Sequence, residues 1–85
     1  MRVEVRCYGS VREAVGATVV ELALRSGATT ADALNALGDE YSSVGRLLAA
    51  TDRNVVVMRD RTHLDRDAAL AEGDVIGVST SPMPE

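Results

Sequence analysis

Three observations predict an α+β domain: a mixed sheet of four or five strands with one main helix across one face. The chain opens on two segments that alternate with a period of two. A single segment around residues 30–41 switches to a helical period, and β-branched runs return after it. Adjacent early strands, one crossing helix and later strands satisfy that architecture economically.

"RVEVRCY" alternates from Arg2 and sets Val3, Val5 and Cys7 on one face, a half-buried strand. "GSVREAVGA" is a connection with room for a short helical turn, closed by Gly16. "TVVELAL" alternates again, with Val20, Leu22 and Leu24 on one side, so the first two strands form a hairpin with a wide loop. In "RSGATTADALNALGDEY", Leu34, Leu37 and Tyr41 fall at i, i+3 and i+7, one face of a helix. Thr29 or Thr30 supplies its N-cap, and Asp32 in the first turn suits the helix dipole. Gly38 is expected to weaken or end it.

"SSVGRLLAATD" reads as loosely organised, one short turn anchored by Val44, Leu47 and Leu48. "RNVVVMRD" reads as a buried central strand with Met58 in the core. "RTHLDRDAAL" holds a turn and a brief edge strand around His63-Leu64. "AEGD" turns into the last strand, "VIGVS", whose Ile76 and Val78 join the core. This order is the ubiquitin-like β-grasp arrangement. Residues 1–79 are expected to form the domain, and residues 80–85, rich in serine and proline, a flexible C-terminal tail.

Composition narrows the function. A chain of 85 residues buries only about 60% of its unfolded surface, so the core is modest. With 46% hydrophobic and 26% charged residues, the chain is globular rather than disordered. No apolar run approaches the roughly 18 residues of a membrane span, and the alternating start lacks the apolar centre of a signal peptide. A cytoplasmic protein without membrane contact is the expectation. A net charge of −4 argues against binding nucleic acid through phosphates. All nine basic residues are arginine, so no side-chain amine is available for acylation.

Cys7, the single cysteine, excludes an internal disulfide and multi-thiolate metal clusters, and reads as a buried structural thiol. His63, the single histidine, reads as a solvated turn residue. Asp60, Asp65 and Asp67 lack the turn glycine and late bidentate acid of a calcium loop. Without a nucleophile–base pair, phosphate loop or metal cluster, neither enzyme activity, nor a cofactor, nor a metal site is expected.

Several motifs agree on one family. "VEVRCYGSVREAVGATVVELAL" is similar to an opening strand that ends in an aromatic, an "R-E-x-x-G" loop and a second strand. "GATTADALNALGDEY" is similar to a "G-A-T-V-x-D-x-L-x-x-L" helix entry, and "LAEGDVIGV" to an "L-x-x-G-D-x-V-x-x" turn. Together, and in order, they resemble the small sulfur-carrier proteins: the molybdopterin synthase small subunit, the thiamine-pathway carrier and the archaeal ubiquitin-like modifiers.

The resemblance implies a C-terminal Gly-Gly whose carboxylate an ATP-dependent adenylating enzyme activates. It also implies docking of protein partners, among them a molybdopterin-synthase-like large subunit, on the sheet near Tyr8 and the last strand. Ser79 stands where the family has an aromatic, and Pro84 and Glu85 stand where it has Gly-Gly. Proline fixes φ, and Glu85 sets a second negative charge beside the reacting carboxylate.

The expectation is therefore a non-catalytic interaction module, a monomer alone, with Tyr8, Ser79, Thr80, Ser81, Pro82 and Met83 as contact residues. The alternative is an active sulfur carrier or modifier, with the Glu85 carboxylate activated. Tyr8 is either an interface anchor or a cover for the sheet edge that hydrogen-bonds to backbone. The charge run from Arg59 is either a wet turn and edge strand or an electrostatic docking patch.

Overall fold

The computed structural model describes residues 1–50 and 55–80. Eight elements follow one another: β1 (Arg2–Cys7), α1 (Gly9–Val15), β2 (Val19–Ala23), α2 (Thr30–Glu40), α3 (Ser42–Ala50), β3 (Val56–Arg59), β4 (Thr62–His63) and β5 (Val75–Ser79). The strands form one mixed sheet in the order β2-β1-β5-β3-β4. β1 runs parallel to β5, and the other neighbours are antiparallel. The fold is the ubiquitin-like β-grasp; among the described residues α2, the longest helix, is accompanied by the shorter α1 and α3.

Strict alternation in β1 buries Val3, Val5 and Cys7 on the inner face, alongside Leu22, Val57, Ile76 and Val78 of the other strands. Val11 of α1, Ala33, Leu34 and Leu37 of α2, Val44 of α3, and Leu70 in the loop before β5 complete that core. Cys7 sits within it as expected, and burial pushes its thiol up from the ordinary value. The thiol is thereby kept protonated and poorly nucleophilic.

The connection after β1 is a seven-residue helix, α1, not a single turn. Tyr8 is its extended N-cap, Val11 docks it on the core, and Gly16 ends it in the left-handed conformation (φ 84°), donating its N–H to the Arg12 carbonyl. The segment read as loosely organised is a nine-residue helix, α3, held by Val44 with Leu47 and Leu48 beside the core. Gly38 does not end α2, which continues to Glu40. Its missing side chain serves packing: a Cβ there would lie 3.2 Å from the Gly45 Cα of α3. The two helices meet backbone to backbone at these glycines.

α2 starts with a capping box. The Thr29 hydroxyl accepts from the Asp32 N–H, and the Asp32 carboxylate accepts from the Thr29 N–H at 2.9 Å. The next free donors, Thr30 N–H and Ala31 N–H, reach the carbonyls of Ala68 and Arg66, tying the helix entry to the loop before β5. The Thr29 backbone N–H, followed by the Arg25 guanidinium and the Thr29 hydroxyl, holds the Asp32 carboxyl below its ordinary value against a smaller opposing effect of desolvation. A depressed carboxyl adds stability above the unfolded value of about 4 and loses it as pH falls through the folded value. Asp32→Asn is expected to flatten the acid limb of a urea-midpoint-versus-pH curve below about pH 4. An unchanged acid limb would place the acid sensitivity elsewhere.

β3 corrects a further expectation. The central strand is β5, between β1 and β3, and only Val57 of β3 is fully buried. Met58 is half-buried on the outer face rather than in the core, because its register partners there are Gly77 and His63. β3 and β4 join through Asp60 and Arg61, both at positive φ (52° and 67°), the signs that a tight two-residue hairpin needs. The turn into β5 is fastened by Asp74, whose carboxylate accepts from the Ala71 N–H at 2.8 Å and from the Arg59 guanidinium at 2.7 Å. Gly73 supplies the left-handed residue there, at φ 81°.

Candidate functional site

The outer face of the sheet carries no helix among the described residues, and its composition follows from register. At one level, Val19, Arg6, Gly77, Met58 and His63 lie side by side across the five strands. At the next, Glu21, Glu4 and Val75 adjoin. Gly77, on the central strand, brings no side chain to this surface. A hollow of about 280 Å³ lies there, bordered by Arg6, Tyr8, Met58, Val75 and the Asp60–Arg61 turn.

A second hollow, about 240 Å³, continues past Tyr8 and Arg6 to Arg12, Thr18 and Val19. Val19 and Val75, 45% and 42% exposed, are the large hydrophobic side chains that remain open to solvent among the described residues, and each borders one of the hollows. Tyr8 stands between the two. Its N–H reaches the Val78 carbonyl, and its own carbonyl accepts from Val11 and Arg12, so β5 and α1 both fix the backbone that carries the ring. The hydroxyl has no hydrogen-bond partner among the described residues.

A somewhat larger hollow, about 320 Å³, opens on the helical side between α2 and α3, bordered by Asp39 and Arg66. Gly38 and Gly45 are among its lining residues, and it offers neither an aromatic nor an exposed large aliphatic residue. The outer face is the better site.

Of the residues singled out in the sequence, Tyr8 lies on this face. Ser79 is only 2% exposed. Thr80 is half-buried just beyond β5. Ser81, Pro82, Met83, Pro84 and Glu85 lie outside the described residues. His63 is exposed on the edge strand, as read. Sequence reading did not single out Arg6, Arg12, Val19, Val75 and Gly77. The signal was available in the alternation of "RVEVRCY", which fixes Glu4 and Arg6 opposite the core face, and in a glycine within an otherwise β-branched final strand.

Chemically the face is suited to binding. Among the described residues no group of three His, Cys, Asp or Glu side chains could hold a metal ion. None of the helices there is long and apolar enough to cross a membrane.

The fold defines a ubiquitin-like β-grasp protein. The ThiS family profile matches residues 5–78, and the chain belongs to that family. Among solved structures it is similar to SAMP1 of Haloferax volcanii, with TM-score 0.86, 21% identity, and 100% and 99% of the two chains covered. It is also similar to a Pyrococcus furiosus protein assigned by name to subunit 1 of the molybdopterin converting factor (TM-score 0.77, 21% identity, 92% and 94% covered). The Haloferax volcanii HVO 2177 protein shares 32% identity at TM-score 0.75, over 92% of this chain and 80% of that one. No curated protein matches the sequence.

Proposed function

We propose that the chain is a non-catalytic interaction module of this family, which docks a partner protein through the outer face of its sheet, with the segment after β5 as a second contact. The observation that supports this reading is the surface around Tyr8. An aromatic residue whose backbone is bonded to β5 and α1 stands between two hollows, each bordered by an exposed valine. Apolar surface collected in one place and rimmed by charge is characteristic of protein interfaces. The 85 residues contain no Gly-Gly pair, and Pro84 and Glu85 occupy the positions where the family resemblance calls for one. A channel built for glycine disfavours both the proline ring and the extra carboxylate.

The partner is a cytoplasmic protein, either an ATP-dependent adenylating enzyme or a molybdopterin-synthase-like large subunit. The second class is suggested by the subunit name of the Pyrococcus relative. Membership of the ThiS family favours a different reading, an active sulfur carrier whose Glu85 carboxylate is adenylated and then thiolated.

Intact mass separates the two. The chain is incubated with ATP, a sulfur donor and the adenylating enzyme of its own cell, beside a Pro84→Gly/Glu85→Gly variant. The expected result is exchange of oxygen for sulfur in the variant alone; exchange in both establishes the carrier. For docking, Tyr8→Ala is expected to weaken the partner about tenfold in a titration, as loss of a central aromatic anchor does.

A further inference from the structure

The charge around the docking face is unusual for this molecule. The chain carries 13 acidic and nine basic residues, yet the side chains bordering the two hollows include three arginines, Arg6, Arg12 and Arg61, and one acid, Asp60. Arg6 is already engaged by Glu4 at 3.2 Å, a pair open to solvent. Arg12 and Arg61 form no salt bridge with a described residue, unlike Arg2, Arg25 and Arg59, which each hold a carboxylate.

Position adds to number. Arg61 is in the tight turn that borders the first hollow, held at positive φ, Arg6 borders both hollows, and Arg12 borders the second. Between them Gly77 brings no side chain to the floor of the hollow that Met58 and Val75 also line. Arg6 and Met58 flank Gly77 on neighbouring strands, a span of about 10 Å. Two or three extended residues cover that distance.

We infer that the outer face accepts an acidic segment of a partner protein, seating one aliphatic side chain over Gly77 between Met58 and Val75, with carboxylates on either side reaching Arg61 and the Arg6–Arg12 pair. This rests on the docking reading above and specifies the partner's chemistry. Guanidinium groups at the rim of an apolar contact set approach rate, register and choice of partner, while the apolar anchor supplies most of the affinity. The fork geometry of arginine suits carboxylates in particular. The net charge of −4 disfavours an acidic partner elsewhere on the protein, so the arginine rim biases docking toward these hollows.

The test is a titration of the ¹⁵N-labelled full chain with a short synthetic peptide, a central leucine flanked on both sides by aspartate and glutamate. Its Asn/Gln counterpart is the control. The expected result is amide shifts confined to Arg6, Tyr8, Met58, Arg61 and Gly77 and their neighbours. The acidic peptide should bind about tenfold tighter than the neutral one near 0.05 M salt, with the gap closing to about twofold near 0.5 M. Arg12→Gln and Arg61→Gln should each weaken the acidic peptide about two- to fivefold and leave the neutral one unchanged. Arg46→Gln, on α3, should change neither.

Gly77→Val, which fills the hollow with a residue suited to strands, should abolish binding of both peptides while the remaining spectrum stays dispersed. Equal affinity of both peptides on this face would overturn the acidic partner and leave the docking reading intact. Shifts on the helical side only would overturn both. Tighter binding of a single-stranded oligonucleotide to the same residues, or concentration-dependent shifts there without any peptide, would also overturn the acidic partner, in favour of nucleic acid or a second copy of the chain.

Discussion

Leu37→Ala is expected to destabilise the domain by about 3 kcal/mol and to lower its melting temperature by about 15 °C. Leu37 is 1% exposed and belongs to the core cluster that α1, α2 and α3 form with the inner face of the sheet. Truncation removes its transfer free energy and leaves a cavity that two short helices and a pleated sheet refill only in part. A domain of this length has a total stability of about 4–13 kcal/mol, so the loss is a large fraction of it. Urea denaturation followed by circular dichroism measures the change. A control at Leu48, half-buried at the margin of the core, should lose less than half as much. If Leu37→Ala cost no more than Leu48→Ala, Leu37 would not be where the layers meet.

The core and the sheet were legible because period-two alternation is a local signal with one physical meaning. "RVEVRCY" and "TVVELAL" gave the correct buried faces, and "VIGVS" supplied Ile76 and Val78. The entry to α2 was legible for the same reason: a Thr–Asp capping box is contained in four consecutive residues. What local signals do not carry is which strand becomes central. A run of valines suits any strand with one buried face, and β3 proved to be next to the edge, since β5 inserts between it and β1.

The same limit applies to the proposed docking face. Tyr8 was visible as an aromatic at the end of a strand, but Arg6, Arg12 and Arg61 come together only once β1, α1 and the β3–β4 turn are assembled. Arg61 is 55 positions from Arg6 along the chain. Surface charge reads as solvation until the fold shows which charges share a border. The face and the core thus come from alternate residues of the same strands. A register slip by one residue in β1 would exchange Val5 and Cys7 for Arg6 and Tyr8, and lose both together.

The extent of α2 past Gly38 and the helical state of α3 escaped sequence reading for a physical reason that leads to the second large effect. Glycine within a helix is ordinarily a weakness, and replacing it with alanine ordinarily stabilises by about 1 kcal/mol. By that rule Gly38 should close α2 and Gly45 should keep "SSVGRLLAATD" from forming a helix. Instead a Cβ at Gly45 would lie 3.1 Å from the Gly38 carbonyl oxygen, closer than ordinary contact and against backbone that cannot rotate away. Gly45→Ala is therefore expected to reverse the usual sign. The propensity gain of about 1 kcal/mol is outweighed by overpacking of about 2–3 kcal/mol as α3 is pushed off α2, for a net loss of about 1–2 kcal/mol. Ser43→Ala, exposed on the same helix, should be neutral or slightly stabilising, which separates helix propensity from interhelical contact. Because Gly38 and Gly45 meet each other, Gly38→Ala should also destabilise, and the double variant should cost less than the sum, since the first methyl already opens the gap that the second needs. The check is a double-mutant cycle from urea midpoints. A stabilised Gly45→Ala would mean that the two helices do not approach at this point, and that glycine there is merely tolerated.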